Sequence, residues 1–113
     1  MSCLFCRIRD GEIPAKVVHD DERCLAFEDL SPQAPTHVLI IPRKHLASTL
    51  DIAPEDEALI GHLSRVAAQI AHVRGFAESG FRTVMNTNAA AGQTVFHLHL
   101  HLLGGRPLGW PPG

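Results

Sequence analysis

The sequence predicts an α+β domain, an antiparallel sheet of five strands with one long helix across a face. Three observations lead there. Short apolar or alternating runs, bounded by Gly, Pro and Asp, recur in five places. Only one stretch carries helical periodicity over many turns. The order is strands, one helix, then strands, without the strand–helix alternation of a parallel doubly wound sheet.

Each element has a local reason. Residues 3–9 (CLFCRIR) form a short helix before an Asp10-Gly11 turn. Residues 16–19 and 23–28 read as strands around the acidic turn Asp20-Asp21-Glu22, the spacing of a hairpin. Residues 31–35 are a proline-bounded loop. Residues 36–41 (THVLII) are a strand stopped by Pro42. The long helix opens at Pro54 with Glu55, Asp56 and Glu57 in its first turn, which suits the helix dipole. Leu59, Leu63, Val66, Ala67, Ile70 and Val73 recur at offsets of three and four as its buried stripe, and Gly75 stops it. Residues 81–85 and 94–103 are the last two strands, separated by a small-residue loop over 86–93, and residues 104–113 form a Pro/Gly-rich tail.

At 113 residues the chain is one domain, with no low-complexity linker, charge block or repeat. Ten Lys+Arg against twelve Asp+Glu leave a formal charge of −2, which argues against charge-driven nucleic-acid binding. No apolar run reaches the length of a membrane span, and charges interrupt MSCLFCRIRDGE where a leader needs its apolar stretch. The expectation is a cytoplasmic protein without a membrane partner. Three cysteines cannot all pair within the chain, so no disulfide framework is expected. The anomalous count is eight histidines beside two lysines.

Three of those histidines set the chemistry. His97, His99 and His101 alternate with Leu98, Leu100 and Leu102, so on a strand the imidazoles share one face and the leucines the other. The leucine face can bury against the helix. Three imidazoles on a core face would each need a partner, so their face should line a cleft. One reading is a metal site, although a near-straight strand puts the outer two Cα atoms about 13 Å apart, and three ligands reach one ion with difficulty. The other is nucleophilic catalysis, the middle imidazole attacking while its neighbours position it and handle protons. The preceding loop favours the second. Gly92 permits a backbone turn that offers amide N–H groups to an anion, and Thr94 adds a hydroxyl. At the other end, Cys3-x2-Cys6 has metal-ligand spacing but is half a site. Cys24, in an apolar strand, reads as core. His19, His62 and His72 carry no motif and are expected on the surface or a helix face.

The run from Gly92 to Leu103, GQTVFHLHLHLL, resembles the histidine-triad (HIT) signature, His-x-His-x-His followed by apolar residues. EIPAK at 12–16, CLAF at 24–27, DLSPQAPTH at 29–37, IIP at 40–42 and LGGRP with WPPG at the end look like its HINT branch, the histidine-triad nucleotide-binding proteins. The resemblance covers nearly the whole chain. It implies a homodimer whose two sheets join, and a purine nucleoside phosphoramidase that cleaves the P–N bond of AMP-type or GMP-type amine adducts through a nucleotidyl-histidine. It implies that His99 is the nucleophile, that His97 and His101 flank it, and that His37 supports it. Asp29 would hold the ribose hydroxyls and Asn86 would lie near the sugar-phosphate. Gln93, Thr94 and His101 would surround the phosphate, with Gly92 and Val95 completing the nucleotide-binding set. Leu4, Phe5, Ile8, Phe27 and Leu30 would form the base pocket.

Some bacterial relatives with the cysteine pair add two histidines to bind a structural zinc, and the corresponding set here is Cys3, Cys6, His45 and His97. No cofactor would then be needed for the chemical step. The tail around Trp110 would fold over the dimer partner near its substrate opening. Three other readings stand beside this one: a dinucleoside polyphosphate hydrolase, a nucleotide-binding interaction module with residual catalysis, and a zinc hydrolase using the triad as ligands. His101 argues against relatives that transfer nucleotides to other acceptors, which often carry Gln there. Thr94 stands where many relatives carry Ser, and Ala89-Ala90-Ala91 replaces their glycine or charge.

Overall fold

The computed structural model describes residues 3–113; Met1 and Ser2, which open the segment read for a leader, lie outside them. The five expected strands form one antiparallel sheet: β1 (Val17–Asp20), β2 (Cys24–Glu28), β3 (Thr36–Pro42), β4 (Phe81–Val84) and β5 (Leu100–Gly104), in the order β1-β2-β3-β5-β4. A short helix, α1 (Leu4–Arg9), precedes the sheet, and the long helix α2 (Glu57–Val73) lies between β3 and β4. No helix among the described residues is long and apolar enough to cross a membrane.

The central strand explains its own sequence. Every residue of β3 is buried, so its apolar run covers both faces instead of alternating. Val38 and Ile40 join Cys24, Ala26, Leu98, Leu100 and Leu102 against Leu63, Val66, Ala67 and Ile70 of α2. Leu39 and Ile41 join Leu25 and Phe27 on the opposite face, where Phe5 of α1 caps them. The leucines of the histidine segment therefore face the long helix, as their alternation predicts.

α2 begins three residues later than Pro54, because residues Pro54–Asp56 form a 3-10 turn. Asp56 accepts from the Ala53 N–H (3.0 Å) and from Lys44 Nζ (2.6 Å), which together hold its carboxyl below the usual carboxylate range. Val73, expected in the buried stripe, is 83% exposed at the last turn, on the rim of an open groove that the helix shares with Val18 and His19 of the edge strand β1.

The last strand is shorter than expected, starting at Leu100 and not at Thr94. The register pairs Ile40 with Leu100, so its continuation would set Leu98 opposite Pro42. Proline has no N–H to give, and the ladder ends there. The Leu98 N–H turns instead to the Leu46 carbonyl (2.7 Å). His97 and His99 thus lie on an irregular approach to β5, and only His101 lies on the strand itself.

Gly104 closes β5 against Phe76: a Cβ there would collide with the Phe76 ring. Gly104→Ala is expected to lower stability by about 1–3 kcal/mol in urea unfolding, without loss of the fold.

Candidate active site

Four hydrogen bonds, to backbone and side chain, assign the protons of the triad. His99 Nδ1 lies 2.7 Å from the His97 carbonyl oxygen. A carbonyl only accepts, so His99 carries its proton on Nδ1 and keeps a lone pair on Nε2. His97 Nε2 lies 2.8 Å from the Pro42 carbonyl, so His97 carries its proton there and keeps its lone pair on Nδ1. The Gln33 N–H donates to His37 Nδ1 (3.0 Å), which leaves His37 protonated on Nε2 and donating to His101 Nδ1 (2.9 Å). His101 is then protonated on Nε2. The three neighbours in sequence hold three different roles.

Burial keeps these imidazoles neutral. It pushes His99 below its ordinary value, against the His97 carbonyl bond and the Asp29 charge. Burial first, then repulsion from His99 and His37, takes His101 down to about 4. The same desolvation takes His97 to about 4.

His37 supports His101, whereas the expectation had it supporting His99. The register is the reason. Leu39 pairs with His101, so His37, two residues along β3, is the diagonal neighbour of His101 on the same face. Asp29 Oδ2 lies 3.5 Å from His37 Nε2, and Asp29 Oδ1 accepts the Ser31 N–H (2.7 Å). Asp29, His37 and His101 therefore form one chain leading into the triad.

Beside it opens a cavity of about 570 Å³. Leu4, Phe5, Ile8, Phe27 and Leu30, the expected base pocket, all line it, together with Asp29 and His37. Sequence reasoning missed Ile13, Pro14, Ala15, Pro32, Pro35 and Leu39, whose apolar character was already accounted for by turns and core. The Phe5 ring meets the His99 ring edge-on, with centroids 5.0 Å apart, and so joins the pocket to the triad. Val95 packs on the cluster of Phe5, Phe27 and Leu39.

The loop before the triad differs from its expectation. Gly92 is left-handed (φ 94°), as a glycine permits, but its N–H donates to the Ala89 carbonyl (3.0 Å), and that of Gln93 to the Asn88 carbonyl (3.1 Å). The buried Gln93 side chain donates to the Ala47 and Val95 carbonyls (2.8 and 3.1 Å) and accepts the Asn88 N–H (2.8 Å). Gly92 and Gln93 shape the loop, with those donors turned inward rather than to a phosphate. Thr94 is exposed and Asn86 half-buried.

Cys3, Cys6, His45 and His97 come together as the resemblance implies. Their ligand atoms lie within 4.8 Å of one another. His97 Nδ1 is 3.1 Å from His45 Nδ1, 3.4 Å from Cys3 Sγ and 3.5 Å from Cys6 Sγ, and Cys6 Sγ is 3.3 Å from His45 Nδ1. Tetrahedral coordination at zinc-type bond lengths separates ligand atoms by about 3.3–3.8 Å. With the His97 lone pair already on Nδ1, the set has the chemistry and spacing to hold a metal.

A HIT domain model matches residues 10–108. The chain belongs to the HIT family. It is 50% identical to the purine nucleoside phosphoramidase of Escherichia coli K12 over 106 residues, covering 94% of this chain and 89% of that one. It superposes on a HIT family hydrolase from Legionella pneumophila with a TM-score of 0.97 at 52% identity, covering 99% and 100% of the two chains. A histidine triad protein from Clostridium difficile gives 0.93 at 44% identity over 96% and 95%. The expected family, fold and class of enzyme, a hydrolase, are those of its relatives.

The tail is tied to its own domain at two points. Arg106 donates to the Gln33 carbonyl through Nε and Nη2 (3.1 and 2.9 Å), and Arg82 donates to the Gly109 carbonyl (2.7 Å), while Trp110 stays exposed. Cys24 is core, as expected: it is fully buried, and desolvation, with the nearby Asp21 carboxylate, pushes its thiol up to about 12. In metal-free folded protein a thiol reagent is therefore expected to modify Cys3 and Cys6 rapidly and Cys24 only on unfolding. Zinc should protect the first two, and equal reactivity with and without zinc would contradict the metal-holding set.

Proposed function

We propose that this chain is a HINT-branch purine nucleoside phosphoramidase, cleaving the P–N bond of AMP-amine or GMP-amine adducts through a nucleotidyl-His99 intermediate. The observation that carries this reading is the His99 Nδ1–H bond to the His97 carbonyl, which leaves the Nε2 lone pair free on a ring packed against Phe5 of the cavity wall. The likeness to the E. coli phosphoramidase supports the substrate class.

The chemistry follows from the proton assignments. A flat purine fills the cavity against Phe5 and Phe27, and the Asp29 carboxylate accepts from the ribose diol. His99 Nε2 attacks the α-phosphorus. As the Nε2–P bond forms, the P–N bond breaks, and the departing nitrogen takes a proton from a water molecule, while the His101 Nε2–H steadies that nitrogen with a hydrogen bond. The His37 Nε2–H on His101 Nδ1 holds that ring in the donating orientation. In the second step the hydroxide left by that water attacks phosphorus, the Nε2–P bond breaks, and His99 leaves neutral with its Nδ1 proton in place. Two displacements at phosphorus, each with a good leaving group, replace one difficult hydrolysis.

We assign zinc to Cys3, Cys6, His45 and His97, where four protein ligands close the coordination shell and confine the ion to structure. It would fix α1, which supplies Leu4, Phe5 and Ile8 to the pocket, to the residue whose carbonyl orients His99. The β4 edge of the sheet supports a homodimer in which two five-stranded sheets join. Three free cysteines suit a reducing, cytoplasmic compartment.

AMP release from adenosine phosphoramidate tests the reading. His99→Ala should lower it by at least about 10⁴-fold, while the unsubstituted protein stays active in chelator. An active His99→Ala protein would overturn the nucleophile, and chelator-sensitive chemistry in folded protein would favour a catalytic metal. The pH profile gives a second check. Protonating His99 removes its lone pair, so kcat/KM falls as pH drops through its depressed pKa. The acid limb is expected below the ordinary imidazole value of 6.5.

A further inference from the structure

The molecule brings together a second set of metal-ligating side chains, on the sheet face opposite the nucleotide cavity. His19 Nε2 lies 2.6 Å and His62 Nε2 2.7 Å from the same oxygen, Asp21 Oδ2, and Cys24 Sγ lies 3.5 Å from it. All four ligand atoms fall within 4.8 Å of one another. We propose that His19, Asp21, Cys24 and His62 form a second divalent transition-metal site, for an ion of the zinc class.

Three features of the fold build the site. The β1–β2 register shifts between Val17 and His19. Val18 already packs into the cluster under α2, so simple alternation would turn His19 to the other face. The bulge brings it back toward the helix, where His62 projects. The Arg23 and Cys24 N–H groups donate to Asp21 Oδ1 (2.7 and 2.9 Å), which fixes the carboxylate and aims Oδ2 at the two imidazoles. Cys24 closes the floor at zero exposure.

The donor set suits a borderline cation: two imidazoles, a carboxylate and a thiolate, neutral overall with a divalent ion. Without the ion both imidazoles must hold a proton on Nε2 to satisfy Asp21 Oδ2. Binding moves each of those protons to Nδ1 and sends one proton, from the Cys24 thiol, to solvent. The imidazole nitrogens must retreat from Oδ2 by about 0.6 Å to reach tetrahedral spacing. His19 can do so on an edge strand. His62 meets an obstacle, since Arg23 Nη2 donates to its Nδ1 (3.1 Å) and holds the proton on Nε2. The exposed Arg23 guanidinium therefore opposes metal, and its removal should favour it.

The test is Co²⁺ titration of Cys3→Ser/Cys6→Ser protein, which lacks the thiolates of the other set. One equivalent per chain should bind with a thiolate-to-cobalt charge-transfer band. Cys24→Ala or His62→Ala added to that background should abolish the band. Arg23→Ala should tighten binding by about threefold to tenfold, the worth of one hydrogen bond. Near-UV circular dichroism checks that each variant is folded. No cobalt band in the folded double variant, a band that survives Cys24→Ala, or no tightening by Arg23→Ala would overturn the proposal. If the double variant does not fold, the unsubstituted chain should take up two zinc ions and its Cys24→Ala variant one; a single ion in both would overturn it. Each readout is metal stoichiometry or a spectrum, so failure here leaves the phosphoramidase reading standing.

Discussion

His99 holds its Nδ1 proton on the carbonyl oxygen of His97, and the rest of the site depends on that bond. It decides which nitrogen of His99 has a free lone pair. It ties the orientation of one imidazole to the backbone of its neighbour. It also works only because the chain is not a regular strand there. In a regular extension of β5 the His97 carbonyl would point to the β4 side of the sheet, but β4 ends at Val84, opposite His101, and leaves that carbonyl to His99.

The same residue looks in two directions. Its carbonyl orients His99, while its ring gives Nε2–H to Pro42 and turns Nδ1 toward Cys3, Cys6 and His45. α1 has six residues, too few to be stable by itself. It carries Phe5, which covers the pocket-side cluster and meets His99, and it stands next to both cysteines. Cross-linking the cysteines to His45 and His97 would therefore hold together the pocket wall and the residue whose carbonyl orients His99. Burial then supplies the largest part of the electrostatics that keep the imidazoles unprotonated.

Much of this was legible in the residues. Short apolar or alternating runs located all five strands, and the leucine alternation at 98, 100 and 102 correctly assigned the two faces of the histidine segment. That Leu4, Phe5, Ile8, Phe27 and Leu30 share one cavity, and that Cys3, Cys6, His45 and His97 meet, followed from motif matches spread along the chain. What escaped reading depended on register and long-range contact. Pro42 is visible in the sequence, but that it faces Leu98 is not, so the start of β5 was set six residues early. The partner of His37 turned on the same register. The resemblance implies Gln93 at the phosphate, but its burial and its bonds to Ala47, Val95 and Asn88 depend on long-range packing that no local signal carries. The meeting of His19 with His62 required a bulge in β1 and a contact across 43 positions, neither of which leaves a local signal.

The account stands most directly on the covalent intermediate. Rapid quenching of a single turnover with an adenosine phosphoramidate, followed by mass analysis of the peptides, would locate any nucleotidyl adduct. One adenylyl group on His99, appearing before AMP and decaying into it, is the predicted result. AMP formed without an adduct, and with inversion at phosphorus, would mean that water attacks directly and would contradict the role given to His99.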